Sequence, residues 1–230
     1  MEIDQHLIVH LQPALFKAGD VSVGVLELIP KLWFAAEALT SPDVKKRKIG
    51  LEDLTNEGAA RFSPLLAYLI FTRITDPDLD IRVSVINALA DILGPDESGL
   101  PAPEVVRVDL YMHLSRMEAQ QVKSLVEAVN YDSTVEIAAE SLLKACPLAG
   151  SYLAEILADR TQPLEVRELC AMYIGHIGYL DAIPILERVA KKLEAKMNGQ
   201  QTMPFGQIKN RGELNLLPAI YAALDSLQQP

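Results

Sequence analysis

The most constraining feature is a proline tetrad that returns at long, similar intervals. Ile29-Pro30-Lys31-Leu32 resembles Ser63-Pro64-Leu65-Leu66, Ile183-Pro184-Ile185-Leu186 and Leu217-Pro218-Ala219-Ile220. Pro103 and Pro147 continue the series, and the successive intervals are 34, 39, 44, 37 and 34 residues. Proline suits the first turn of a helix, where its missing N–H costs nothing and its fixed φ is already helical. Ser63 before Pro64, and Asp181 three residues before Pro184, are expected N-caps. A punctuation mark repeated every 35–40 residues is the signature of a helical-repeat array.

A second landmark recurs after three of these prolines. Ile81-Arg82 precedes Val85, Ala88 and Leu89, and Val166-Arg167 precedes Cys170, Tyr173 and Ile174. Lys46-Arg47, followed by Gly50 and Leu54, is a poorer copy. Apolar or small residues three and four apart define one helix face, and Ala88 and Gly50 allow neighbouring helices to approach closely. The spacing predicts helices over 3–17, 23–40, 44–56, 64–74, 79–93, 104–114, 117–130, 134–145, 149–159, 163–176, 182–197 and 214–228. Segment 105–114 alternates like a strand, but a lone strand would leave its backbone groups unpaired, so a helix is expected. Ser115-Arg-Met-Glu118 reads as a capping box for the next helix.

The stretch Asp76-Pro-Asp78-x-x-Ile81-Arg82-x-x-Val85-x-x-Ala88-Leu89 resembles the turn and second helix of a HEAT repeat, and Gly178 before DAIPILERV resembles the start of the next unit. The style is similar to the bilin-lyase-type branch of HEAT-like repeats, and is clearest over 62–94 and 148–190. The resemblance implies an all-α, right-handed α-α superhelix of five or six antiparallel helix pairs, with 1–230 as a single solenoid and loops 94–103 and 198–212 as insertions. It implies a fold rather than a function.

The alternating acids Asp76, Asp78 and Asp80 raise the question of a calcium loop. Such a loop needs glycine at its sixth position and a bidentate glutamate at its twelfth. Ile81 and Asn87 stand there. Asp78 or Asp80 is expected to cap helix 79–93 instead. Arg82 and Arg167 recur in the repeat frame and are expected to bridge to a carboxylate of a neighbouring turn, with Asp78 and Asp80 as inter-repeat partners. Lys45-Lys46-Arg47-Lys48 reads as a solvated face, with Lys48 pairing to Glu52 four residues on. Cys170 and His176 point apart on one helix, and Cys170 reads as core. His6 and His10 have the spacing of two metal ligands but no third ligand nearby. No cofactor is expected.

The chain carries a formal net charge of −10, which disfavours phosphate backbones and anionic lipid as partners. Two isolated cysteines and the lack of a basic, apolar leader or a long apolar run point to a cytoplasmic protein with no membrane span. The expected function is a non-enzymatic scaffold or adaptor whose second helices form a concave acidic wall for another protein or peptide. Ser84, Asn87 and Asp91 lie off the apolar face of helix 79–93, as do Glu168, Met172 and Gly175 on helix 163–176. Met203 and Phe205 would anchor a partner from the long loop. The broad apolar surface of helix 214–228 is expected to mark a homo-oligomer contact. Two other readings follow the resemblance: a bilin-lyase-like chromophore handler, and a HEAT-like DNA glycosylase. One tryptophan, Trp33, and the acidic balance rank the glycosylase last.

Overall fold

A computed structural model of the chain describes residues 23–56, 58–201 and 211–228. The side chains described are those of 30–56, 58–197 and 213–228. His6, His10, Met203, Phe205 and helix 3–17 lie outside the described residues. Those residues form helices and no β-sheet; the only extended pairing among them is an isolated bridge between Pro95 and Pro101. The chain divides into two compact units between Leu114 and Ser115.

The first unit contains α1 (Val23–Leu39), α2 (Val44–Asn56), α3 (Pro64–Phe71), α4 (Leu79–Leu93) and α5 (Glu104–Leu114). Successive helices pack as neighbours, α1 on α2 and α3 on α4, and alternate helices stack, α1 beside α3, α2 beside α4 and α3 beside α5. Packing of i against i+2 follows from two apolar faces per helix. In α4, Ile81, Val85, Ile86, Leu89 and Ile92 are buried, a stripe wide enough to meet both α3 and α2.

Local chemistry sets the helix ends. Ser63 Oγ accepts from the Leu66 N–H, and Pro64 occupies the first helical position of α3. Asp78 accepts from the Ile81 N–H and so caps α4, as the failed calcium geometry suggests. Pro30 departs from expectation: α1 runs through it rather than starting there, and its ring is exposed rather than wedged against a packed neighbour. Gly50 is a contact glycine. A Cβ there would lie 2.5 Å from the Ala35 carbonyl oxygen, so its absence sets the α1–α2 distance.

The second unit contains α6 (Ala119–Tyr131), α7 (Glu136–Lys144), α8 (Ala149–Ala158), α9 (Leu164–Ile177), α10 (Ile183–Gln201), α11 (Arg211–Leu214) and α12 (Leu216–Gln228). Helix α9 is its centre, packed on α8, α6 and α12. Val166, Cys170, Tyr173 and Ile174 are buried along it. The capping box of α6 is displaced by three residues. Glu118, not Ser115, is the N-cap, and Gln121 Oε1 accepts from the Glu118 N–H at 2.8 Å. Asp181 does not cap α10; it lies inside a 3₁₀ turn, Leu180–Ala182, that leads directly into Ile183.

One further expectation changes here. Gly175 does not face outward on α9. It is buried, and a Cβ there would meet Ala223 Cα at 2.8 Å, so α12 covers that face. In α12, Leu216, Ile220, Ala223, Leu224 and Leu227 are buried within the unit against α9 and α10. The breadth of apolar surface in 214–228 thus serves two neighbours in the same chain, leaving Tyr221 as its exposed aromatic residue.

Candidate functional site

The turn 75–80 distributes its carboxylates among different partners. Asp76 is buried and takes the Arg47 guanidinium side-on, with Nε–Oδ2 at 2.8 Å and Nη2–Oδ1 at 2.9 Å. Arg47 Nη1 also donates to the Ser41 and Pro42 carbonyls at 3.1 and 3.0 Å. The planar fork suits this bidentate arrangement, and the hydrogen bond to Asp76 raises the Arg47 pKa further. The basic run 45–48 is therefore not uniformly solvated: Arg47 is among the buried residues of the unit. Lys48 does not look along its own helix to Glu52. Its Nζ lies 2.6 Å from Asp80 and 3.3 Å from Asp78, and the hydrogen bond to Asp80 raises its pKa.

Arg82 Nε donates to the Asp76 carbonyl, so it braces the turn that precedes its own helix. Arg167 is buried; its Nε donates to the Leu157 carbonyl at 2.8 Å, and its Nη1 lies 3.7 Å from Glu213. Arg160 and Lys196 also approach Glu213, at 3.7 and 2.5 Å. The Lys196 hydrogen bond, with the charges of all three cations, holds the Glu213 carboxyl below its usual range.

These contacts fix how α2 and α4 lie. Lys48, in the first half of α2, meets Asp78 and Asp80 at the start of α4. Arg61, just beyond α2, meets Asp91 near the end of α4. The two helices thus run side by side in the same direction. Between them lies an open groove of about 720 Å³. One rail is Lys48, Glu52 and Thr55, at spacings of four and three along α2. The opposite rail is Asp80, Ser84, Asn87 and Asp91, at spacings of four, three and four along α4. Each spacing is one helix stripe. Leu51, Leu54, Ile81 and Ile92, all buried, form the floor.

Arg61 closes one end. Its side chain is buried, and it donates to the Asp91 carbonyl, to Gly94 O at 3.3 Å and to Leu100 O at 3.0 Å. It also lies 3.2 Å from Asp91 Oδ2. A guanidinium thus satisfies carbonyls at the end of α4 that the helix itself leaves unpaired, and ties loop 94–103 to it.

Ser84, Asn87 and Asp91, singled out by helical spacing, are exposed and share this groove. Glu168 and Met172 belong to the second unit and are half-buried on α9. Arg47, Arg61 and the α2 rail are the elements that sequence spacing misses. Their partners lie about 30 residues away, beyond any local pattern.

Among the described residues, no three histidines, cysteines or acids form a group that could hold a metal, and no helix is long and apolar enough to cross a membrane. No protein-family model, curated protein or solved structure matches the chain.

Proposed function

We propose that the chain is a non-enzymatic binding module of HEAT-like helix pairs, and that the α2–α4 groove is where it receives a protein or peptide. The observation that carries this reading is the pair of facing polar rails over an apolar floor. Stacking of alternate helices in the first unit supports the repeat reading. In such an array the stacked second helices supply a rigid surface, and the outward side chains supply specificity. Ser84, Asn87 and Asp91 offer donors and acceptors on one rail, Glu52 and Thr55 on the other, and rigid helices hold them without the ordering cost a loop would carry.

The test is differential capture. Wild-type chain and Ser84→Trp, which fills the groove from an exposed position, are each used to recover proteins from the native cell. A partner retained by the wild type and lost with Ser84→Trp supports the groove. An identical set of partners in both captures overturns it.

A further inference from the structure

The groove has a definite length, floor and charge, and together these specify an occupant. Asp80 and Asp91 mark its ends on α4, eleven positions apart. At ~1.5 Å rise per helical residue the rail spans roughly 16 Å. An extended chain advances about 3.3 Å per residue, so about five residues lie along it. A helix filling the same span would need about eleven residues, or three turns, still marginal alone, so the extended form is the better fit.

The charge is uneven. Glu52, Asp80 and Asp91 line the groove against Lys48 and Arg61. Both cations are already committed within the chain, Lys48 to Asp80 and Asp78, and Arg61 to carbonyls at the end of α4. Arg61 is buried, whereas the Asp91 side chain is 58% exposed and Glu52 is exposed. Asp91 is also paired, with Arg61, but the groove shows a visitor more carboxylate than cation: the Lys48 side chain is 36% exposed, against 56% for Asp80 and 58% for Asp91.

We propose that the α2–α4 groove binds an extended segment of about five residues carrying lysine or arginine, whose cations pair with Glu52 and Asp91 while small side chains meet the half-buried Ala88 between the rails. The spacing suits alternation: successive side chains of an extended segment point to opposite sides, so basic residues face the rails and smaller ones the floor. Asn87, with one amide donor pair and one carbonyl acceptor, can pair with the visitor's main chain. This inference rests on the groove reading above and adds the chemistry of the occupant.

Selection of a random decapeptide display library on the immobilised full chain tests it. The selected peptides are then synthesised, and their affinities measured against wild type, Ser84→Trp and Glu52→Gln/Asp91→Asn. Folding of each variant is checked by circular dichroism. The expected result is enrichment of lysine- and arginine-bearing peptides. Neutralising the two exposed carboxylates should weaken them roughly tenfold, and rising salt should weaken them in wild type more than in that variant. Neutral or acidic peptides whose binding is lost with Ser84→Trp would overturn the basic occupant while leaving the groove as the site. Peptides bound equally by wild type and Ser84→Trp, or no enrichment at all, would overturn both.

Discussion

Arg47 and Asp76, 29 positions apart, form a bidentate ion pair in which both side chains are nearly withdrawn from solvent. The pair joins α2 to the turn that starts α4, and so fixes the relationship of the two groove walls. Removing one partner strands the other charge in a dry site. Asp76→Ala is expected to cost about 3–5 kcal/mol, read as a lowered midpoint in urea unfolding. The double variant Arg47→Met/Asp76→Leu should recover part of that loss, since an apolar pair strands no charge, while the Ser41 and Pro42 carbonyls and the Asp78 N–H lose their side-chain partners. A double variant no more stable than Asp76→Ala would show that the pair contributes more than mutual neutralisation.

Two glycines are contact points where helices nearly touch. Gly50→Ala would press a methyl group to 2.5 Å from Ala35 O, and Gly175→Ala would press one to 2.8 Å from Ala223 Cα. Neither obstacle is a flexible side-chain tip. Each substitution is expected to destabilise by about 1–3 kcal/mol, although alanine is the better helix former. Gly94→Ala is the control: its added Cβ meets nothing closer than 3.4 Å, and its stability should stay within about 0.5 kcal/mol of wild type. Thermal unfolding of the three variants side by side makes the comparison.

Two carboxyls of the second unit should contribute acid sensitivity. Asp159 accepts from Gln162 Nε2 at 2.7 Å and from the Thr161 N–H and hydroxyl at 2.9 and 2.8 Å, which lowers its carboxyl to about 2. Glu213 is lowered by Lys196 first and then by the charges of Arg160 and Arg167. Carboxyls lowered in the folded state add stability above their unfolded values of about 4, and that stability is lost as pH falls through the folded values. Glu213→Gln should therefore lower stability at pH 7 by roughly 1–2 kcal/mol, with the difference from wild type shrinking steadily as pH falls below about 4. Urea unfolding at a series of pH values reads this; a constant offset down to pH 2 would refute it.

The two thiols should be silent in the folded protein. Cys146 and Cys170 are both fully buried, and burial pushes both thiols up, away from the reactive thiolate. An aromatic disulfide reagent is expected to detect almost no thiol under native conditions and both after urea unfolding. Rapid native labelling of either would mean that its helix opens far more readily than its packing implies.

Much of the fold was readable from residue order alone. Helices 79–93 and 104–114 match α4 and α5 end for end, because caps, turn residues and the apolar period coincide there. Where caps compete, the reading slips: Ser115 and Glu118 both satisfy the local pattern, and packing selects Glu118. Gly175 looks like a surface residue because nothing in its own helix shows that Ala223 rests on it from 48 positions away. Half of the candidate groove was legible, since Ser84, Asn87 and Asp91 form a stripe on one helix. The other half was not. The α2 rail acquires meaning only from its register against α4, set by contacts of Lys48 and Arg61 with distant residues.

The turn at 75–80 acts as a measuring rod. Asp76 reaches for a guanidinium, Asp78 for the backbone at the head of α4, and Asp80 for an ammonium on α2. All three distances are set by residue count, so adding or deleting a single residue there would unseat every one at once. The stretch 94–103 is held by Arg61 through the Gly94 and Leu100 carbonyls, acceptors that any residue supplies, so homologous chains that vary in length should do so there and leave the aspartate turn unaltered.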